Sequence, residues 1–175
     1  LSYAIRMHGC DAGVIITASH NPKEYNGYKV SWNDGGQVVS PHDKGIIDEV
    51  RSITSVSEIA SGGDPKKILT IGDETDRKYM QEVLKLRINP EIIQRNSGMG
   101  IVYTPLHGTG YKMVPEALAM YGFRNIHSVP EQSITDGNFP TLRSPNPEEP
   151  DALAMALNLA REKNADLVMA TDPRS

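Results

Sequence analysis

The second half of the chain alternates short apolar runs with segments of helical pattern, and this alternation constrains the fold more than any other feature. Apolar runs at residues 100–103, 125–129 and 165–170 predict strands, and helical patterns at 111–121 and 151–164 lie between them. Strands that alternate with helices favour a parallel sheet in an α/β fold. Such sheets bind ligands at the carboxyl ends of their strands, so we expect functional loops there.

The first half predicts a smaller α/β unit. The run Gly13–Ile16 is typical of a buried strand, residues 28–32 of a second strand and residues 37–39 of a third strand that returns as a hairpin. A helix over residues 44–51 follows, and a connector rich in Ser, Gly and Asp occupies residues 52–67.

We therefore predict an α/β protein of two consecutive units with mixed or parallel sheets, one at residues 1–72 and the other at 73–175. The boundary lies between about residues 60 and 97, because the helix predicted from Asp73 suits either unit. The loops at 17–22, 104–110 and 171–175 would follow the carboxyl ends of strands.

Composition excludes some classes of partner. A net charge of −4 and only 6% aromatic residues argue against a nucleic-acid-binding surface. No apolar stretch approaches the ~20 residues that span a membrane. The single cysteine, Cys10, cannot form an internal disulfide, which suits a reducing compartment. We expect a cytoplasmic protein with neither a nucleic-acid partner nor a membrane partner.

Polar chemistry concentrates in the loop after the first predicted strand, where residues 17–22 read Thr-Ala-Ser-His-Asn-Pro. Ser19 is a candidate nucleophile or phosphoryl carrier, and His20 can exchange a proton near neutral pH. Backbone N–H groups of such a loop can also bind an anion. Considered alone, a loop serine is more often a turn residue, and neighbouring side chains often point apart. Asn21 more often braces its loop through hydrogen bonds.

This hexapeptide, followed by Tyr-Asn-Gly-Tyr-Lys at residues 25–29, resembles the active-site segment of the α-D-phosphohexomutases, the phosphoglucomutases and phosphomannomutases. Residues 104–110 and 139–148 are similar to the phosphoglucomutase-2/phosphopentomutase-like branch of that family. The likeness spans nearly the whole chain, whereas family members have four domains. The resemblance thus implies the C-terminal part of domain 1, with the phosphoserine loop, and most of domain 2.

The resemblance implies a phosphoserine enzyme of the isomerase class, an intramolecular phosphotransferase that interconverts hexose 1-phosphate and hexose 6-phosphate. Ser19 would carry the phosphoryl group, and a sugar 1,6-bisphosphate would be the intermediate and activator. Lys29 matches the lysine that acts as general acid/base on the sugar hydroxyl, and His20 is a second acid/base or phosphate-binding candidate. The implied partners are a sugar phosphate substrate and the missing domains of the full-length chain.

In the family, Mg²⁺ binds an oxygen of the phosphoserine and three aspartates of a loop patterned Asp-x-Asp-x-Asp-Arg, in keeping with its preference for hard oxygen ligands. That loop should follow the strand predicted at residues 165–170. Asp172 matches the first aspartate, so the resemblance implies Ser19 and Asp172 as metal ligands. The second and third aspartates are missing from the sequence. The alternative for Asp172 is a turn aspartate at a strand end.

Further candidates for binding substrate or phosphate are Thr17 and Asn21 in the serine loop, His107 and Arg143. His107 lies in a glycine-rich loop ahead of a helix, where N–H groups can meet phosphate; a structural histidine is an equal alternative. Arg143 can reach an anion from its proline-rich loop, although an exposed loop arginine is the simpler interpretation.

The leading hypothesis is a catalytic fragment of a phosphohexomutase, with glucose phosphate as the best substrate and mannose or pentose phosphates close behind. We expect little or no mutase activity from these 175 residues alone, because the parts that recognise the sugar lie in other domains. One alternative is a non-catalytic phosphate-binding or interaction module on the same scaffold. A weaker one is a serine hydrolase, since Ser19 lacks the flanking glycines of Gly-x-Ser-x-Gly.

Overall fold

A computed structural model of the chain describes residues 1–19, 21, 23–60 and 62–173. Its helices are α1 Ser2–His8, α2 His42–Ser52, α3 Asp73–Lys85, α4 Pro90–Arg95, α5 Gly110–Tyr121 and α6 Ala154–Lys163. Its strands are β1 Ala12–Ile16, β2 Tyr28–Trp32, β3 Gly100–Thr104, β4 Asn125–Ser128 and β5 Leu167–Ala170. No helix in the described part of the chain is long and apolar enough to cross a membrane.

Backbone contacts group the chain into two units. The first comprises Leu1–Ile15 and Tyr28–Thr75, and the second comprises residues 16–27 together with the chain from Asp76 onward. The loop that contains Ser19 is thus grouped with the second unit. The domain boundary predicted after residue 72 stays a prediction.

The second unit is built on a three-stranded sheet in the order β4-β3-β5. Both pairings are parallel, with Tyr103 opposite Ser128 on one side and Thr104 opposite Ala170 on the other. The central strand β3 is buried at all five positions because it has a neighbour on each side and helix α6 packs against it. The predicted parallel α/β architecture is confirmed.

The core of this unit lies between the sheet and α6. Val102, Val129 and Ala156 are buried together, and the partly buried apolar residues around them are Met155, Leu159, Ala160, Ala165 and Val168. Removal of this apolar surface from water stabilises the unit and fixes the carboxyl ends of β3 and β5 side by side. Residues 105–109 and 171–173 continue from these two strand ends.

The first unit places α1 over β1. Ile5 of α1 is buried and lies so close to Gly13 that a β-carbon there would meet its side chain. The other face of β1 is open, with Val14 44% exposed and Ile16 67% exposed. The prediction of a strand at Gly13–Ile16 is therefore confirmed, but the prediction that this strand is buried is wrong.

Three predicted elements differ in extent. Residues 37–39 form an isolated antiparallel bridge, Ser31 to Gln37, and no third strand. Helix α5 begins at Gly110, one residue before the predicted start, and contains Pro115 in its interior. Helix α6 begins at Ala154, three residues after the predicted start, because residues Pro150–Leu153 form a 3₁₀ turn.

Candidate functional site

The loop between β1 and β2 holds Ser19 in an unusual backbone conformation. Ser19 has φ +60°, in the left-handed region, and is half-buried. For a residue with a β-carbon this conformation costs roughly 1–2 kcal/mol. Serine is not among the residue types that adopt it readily, so the surrounding loop must stabilise it.

Local hydrogen bonds hold this loop. The Ser19 N–H donates to Thr17 Oγ1 at 3.0 Å, and the Asn21 N–H donates to the carbonyl of Ala18 at 3.1 Å. The Thr17 N–H donates to the carbonyl of Gly27 at 2.9 Å and closes the loop. A short, internally bonded loop therefore presents the candidate serine.

The predictions for the other residues of this loop have different outcomes. His20 lies outside the described residues, so its role as an acid/base stays a prediction. Asn21 is exposed, and its backbone N–H takes part in the turn. Thr17, predicted to bind substrate or phosphate, uses its hydroxyl oxygen to accept the Ser19 N–H.

Lys29 lies in β2 and belongs to the first unit. It is half-buried beside a cavity of about 100 Å³ between β2 and α2, which is also lined by Asp43, Ile46 and Ile47. Among the described residues, no hydrogen bond or ion pair holds its ammonium group. Its predicted role as a general acid/base stays a prediction.

His107 is 2% exposed, has φ +63° and uses both ring nitrogens within the protein. Nδ1 lies 2.8 Å from the carbonyl oxygen of Ile134, which can only accept, so Nδ1 carries the proton. Nε2 is therefore the acceptor for the Thr141 hydroxyl at 2.9 Å. The imidazole cannot also bind phosphate without releasing one of these partners.

The hydroxyl of Thr141, an exposed residue, joins a longer hydrogen-bond network that reaches the buried side chains of Gln132 and Thr104. Gln132, fully buried, donates from Nε2 to Thr141 Oγ1 at 3.2 Å and accepts the Thr104 hydroxyl on Oε1 at 2.6 Å. Among the described residues, no buried side-chain nitrogen or oxygen lacks a partner. A fully satisfied network of this kind fixes the loop that carries Thr141 against the end of β3.

The glycine-rich loop also bonds to itself and its neighbours. The N–H of Leu106 donates to Thr104 Oγ1, that of His107 to the Gln132 carbonyl, and that of Gly108 to the Pro105 carbonyl. These groups are engaged, so they form no cradle for an anion. These contacts are compatible with a structural histidine at position 107, the alternative left open by the sequence, and a role in binding phosphate stays a prediction.

The segment after β5, which contains Asp172, is fixed on both sides. The Thr171 N–H donates to the Thr104 carbonyl at 3.2 Å, and the Thr171 hydroxyl shares a 2.8 Å hydrogen bond with the Tyr103 hydroxyl. On the other side, the Thr109 N–H donates to the Pro173 carbonyl at 2.8 Å. Burial raises the pKa of the Tyr103 phenol above its ordinary value, and the bond to Thr171 opposes this in part.

The metal site implied by the resemblance is not complete in the described residues. No group of three or more His, Cys, Asp or Glu side chains in this part of the chain is placed to hold a metal ion. Asp172 is half-buried and is the one carboxylate in the fixed segment 171–173. Mg²⁺ needs several oxygen ligands in octahedral geometry, so the residues present do not fit the ion.

Sequence reasoning missed the residues that build the second unit's loop network, namely Tyr103, Gln132, Thr141 and Thr171. Their hydrogen bonds join positions 9 to 68 residues apart, so no local pattern points to them. Arg143, two residues after Thr141, is exposed, and its predicted contact with an anion stays a prediction.

Comparison with known proteins gives the family. Residues 77–174 match the model of phosphoglucomutase/phosphomannomutase alpha/beta/alpha domain II, and residues 1–57 match that of domain I. A relative from Haemophilus influenzae, named "Probable phosphomannomutase", is 39% identical over 99% of this chain and 35% of its own length. The human glucose 1,6-bisphosphate synthase is 38% identical over 98% of this chain and 28% of its own length.

A solved structure of a provisionally named phosphomannomutase from Thermus thermophilus superposes with a TM-score of 0.75 at 22% identity and shows the same fold. The match covers 99% of this chain and 37% of that one, so the chain spans about a third of the length of such relatives. The resemblance seen in the sequence motifs is confirmed. Because the domain II model alone covers more than half of its residues, the chain belongs to the phosphoglucomutase/phosphomannomutase family, the α-D-phosphohexomutases.

Proposed function

We propose that this chain supplies the phosphoserine loop and the adjoining domain of a phosphohexomutase, an isomerase that transfers a phosphoryl group within a sugar phosphate. The observation that carries the proposal is the conformation of Ser19. The residue at the family's phosphoserine position has a left-handed backbone within a loop closed by the hydrogen bond between Thr17 and Gly27. Unusual backbone conformations of this kind cluster at functional sites.

In the proposed reaction, Ser19 donates its phosphoryl group to a sugar monophosphate. The bond between Ser19 Oγ and phosphorus breaks, and a bond between the sugar hydroxyl oxygen and phosphorus forms. The proton of the sugar hydroxyl passes to a base, for which Lys29 and His20 are the candidates. Return of the other phosphoryl group of the bisphosphate to Ser19 completes the isomerisation.

Transfer of a phosphoryl group depends chiefly on in-line positioning and on neutralising charge. In the family the charge is neutralised by Mg²⁺, which an aspartate loop binds. Asp172 would be the first ligand of that loop. The described residues do not complete a site for the ion. The contribution of this chain is to position Ser19 and to present the amine of Lys29.

The substrate class we propose is a hexose or pentose monophosphate, with glucose phosphate first and mannose and pentose phosphates as close alternatives. The names of the relatives support this range, since they include phosphomannomutase, glucose 1,6-bisphosphate synthase and, in Saccharomyces cerevisiae, phosphoribomutase at 35% identity. The latter two names also support placement in the phosphoglucomutase-2/phosphopentomutase-like branch.

The test uses the protein at its natural length. It is assayed with glucose, mannose and ribose 1-phosphates, each with Mg²⁺ and catalytic sugar 1,6-bisphosphate, and Ser19 is followed by intact mass. We expect turnover and one added phosphoryl group, both abolished by Ser19→Ala. Absence of phosphate on Ser19 together with absence of turnover for all three sugars would contradict the proposal. The 175-residue chain alone should show little or no turnover.

A second candidate is a non-catalytic phosphate-binding or interaction module on the same scaffold, which needs no metal-binding group of carboxylates, and the described residues form none. That candidate predicts binding of sugar phosphates by the natural-length protein without any covalent phosphate on Ser19. The same intact-mass measurement therefore separates the two.

A further inference from the structure

The Thr17 side chain has a role that the family resemblance does not assign. Its hydroxyl oxygen accepts the N–H of Ser19 at 3.0 Å, across two residues of the loop. The Ser19 backbone lies in the left-handed region, at φ +60°. The hydrogen bond therefore acts directly on the strained position.

Thr17 is itself held from the other end of the loop. Its N–H donates to the carbonyl of Gly27 at 2.9 Å. A β-carbon on Gly27 would lie 2.5 Å from the Thr17 carbonyl oxygen, closer than real β-carbons approach. Only glycine lets the two ends of the loop come together at this point.

The remaining contacts complete the turn. The Asn21 N–H donates to the Ala18 carbonyl at 3.1 Å, and the Gly27 N–H donates to Asn26 Oδ1 at 2.9 Å. Hydrogen bonds thus connect Gly27 to Thr17 and Thr17 to Ser19. All of these residues belong to one contact unit.

We infer that Thr17 is a positioning residue, whose hydroxyl holds the Ser19 backbone in the conformation from which Ser19 Oγ exchanges a phosphoryl group, and that Gly27 holds Thr17. This inference rests on the proposed function. It replaces the expectation that Thr17 binds phosphate or substrate directly.

The reaction to be measured is phosphorylation of Ser19 by α-D-glucose 1,6-bisphosphate. The bond between a sugar oxygen and phosphorus breaks, the bond between Ser19 Oγ and phosphorus forms, and the serine proton passes to the sugar oxygen. Single-turnover rates are read by intact mass on the dephosphorylated, natural-length protein. Wild type is compared with Thr17→Val, which keeps the shape and loses the hydroxyl, and with Thr17→Ser, which keeps the hydroxyl.

We expect Thr17→Val to slow phosphorylation roughly fivefold or more, the equivalent of one neutral hydrogen bond, with the KM for sugar monophosphate unchanged. Thr17→Ser should restore the rate to near that of wild type. Thr70→Val is the matched control, because Thr70 is exposed and lies in the other unit. A direct substrate contact would instead raise KM.

Gly27→Ala provides a second variant, since it should slow phosphorylation by displacing Thr17 while Thr17 itself is intact. Its control is Gly98→Ala, where nothing lies within 4 Å of the added carbon. Equal rates for wild type and Thr17→Val would overturn the inference, as would a Thr17→Ser variant as slow as Thr17→Val. A wild-type protein that takes up no phosphate on Ser19 would overturn the proposed function and the inference with it.

Discussion

Gly108 and Pro173 are packed so closely that a β-carbon on Gly108 would fall on the backbone of Pro173. The contact is reinforced by the adjacent Thr109 N–H, which donates to the Pro173 carbonyl at 2.8 Å. The loop after β3 therefore fixes the segment after β5, in which Asp172 lies. This relationship ties the predicted glycine-rich loop to the predicted metal-binding segment through packing and not through a shared ligand.

Gly108→Ala should destabilise the protein by about 1–3 kcal/mol or more, because the added carbon meets backbone atoms that cannot rotate away. Urea unfolding followed by far-UV circular dichroism measures the loss. Gly98→Ala is the control, since nothing lies within 4 Å of its added carbon, and its effect should stay within about 0.5 kcal/mol. Equal unfolding midpoints for the two variants would contradict the close packing of Gly108 against Pro173.

His107→Ala should cost about 2–4 kcal/mol, since it removes a buried ring, the donor to the Ile134 carbonyl and the acceptor of the Thr141 O–H. A double-mutant cycle with Thr141→Val should give a coupling free energy of about 0.5–3 kcal/mol. Thr135→Val, at an exposed position of the same loop, is the control. Strict additivity of His107→Ala and Thr141→Val would contradict the hydrogen bond between them.

The comparison of β3 with β1 shows what an apolar run can predict. Both runs predicted strands, and both are strands. Burial differs because β3 lies between two parallel neighbours under α6, whereas in the described part of the chain β1 pairs with β2 alone. Periodicity reports the preference of the residues for an apolar environment, but which elements cover a strand is decided by the tertiary fold.

For the candidate site too, the sequence predicted some features and not others. The motif located Ser19, because six consecutive residue types carry family-specific information. It did not predict the left-handed backbone, since serine carries none of the bias that glycine or asparagine has for that region. Nor did it predict that both ring nitrogens of His107 form hydrogen bonds, because the partners Ile134 and Thr141 lie 27 and 34 residues away.

Tyr103 should make the free energy of unfolding depend on pH in the alkaline range. Its phenol is buried, so the pKa in the folded state is raised above the ordinary value of 10.0. Above about pH 10 the unfolded chain releases this proton while the folded chain retains it, so the free energy of unfolding falls as pH rises. Below that pH the contribution is fully present.

Tyr103→Phe removes the ionisable group and the hydrogen bond to Thr171, at a cost of about 1 kcal/mol at neutral pH. The difference in stability between wild type and Tyr103→Phe should shrink between about pH 9 and 11 and can reverse. Tyr25→Phe is the control, because the Tyr25 side chain is 65% exposed. A difference that is independent of pH would contradict the burial of the Tyr103 hydroxyl.

Lys29→Met tests the proposed acid/base at natural length. Methionine preserves the aliphatic stem beside Ile46 and Ile47, so stability should change little. Loss of the amine should lower kcat by about 100-fold or more with a small effect on KM, as expected for a group that moves a proton in the transition state.

Lys23→Met is the matched control for this variant, because Lys23 is an exposed lysine of the neighbouring loop. Its kcat should stay within about threefold of wild type, since substitutions of exposed side chains usually have small effects. If both variants retained wild-type kcat, Lys29 would be excluded as the acid/base, and His20 would be the remaining candidate. If both lost activity equally, the effect would be one of positive charge near an anionic substrate and not of proton transfer.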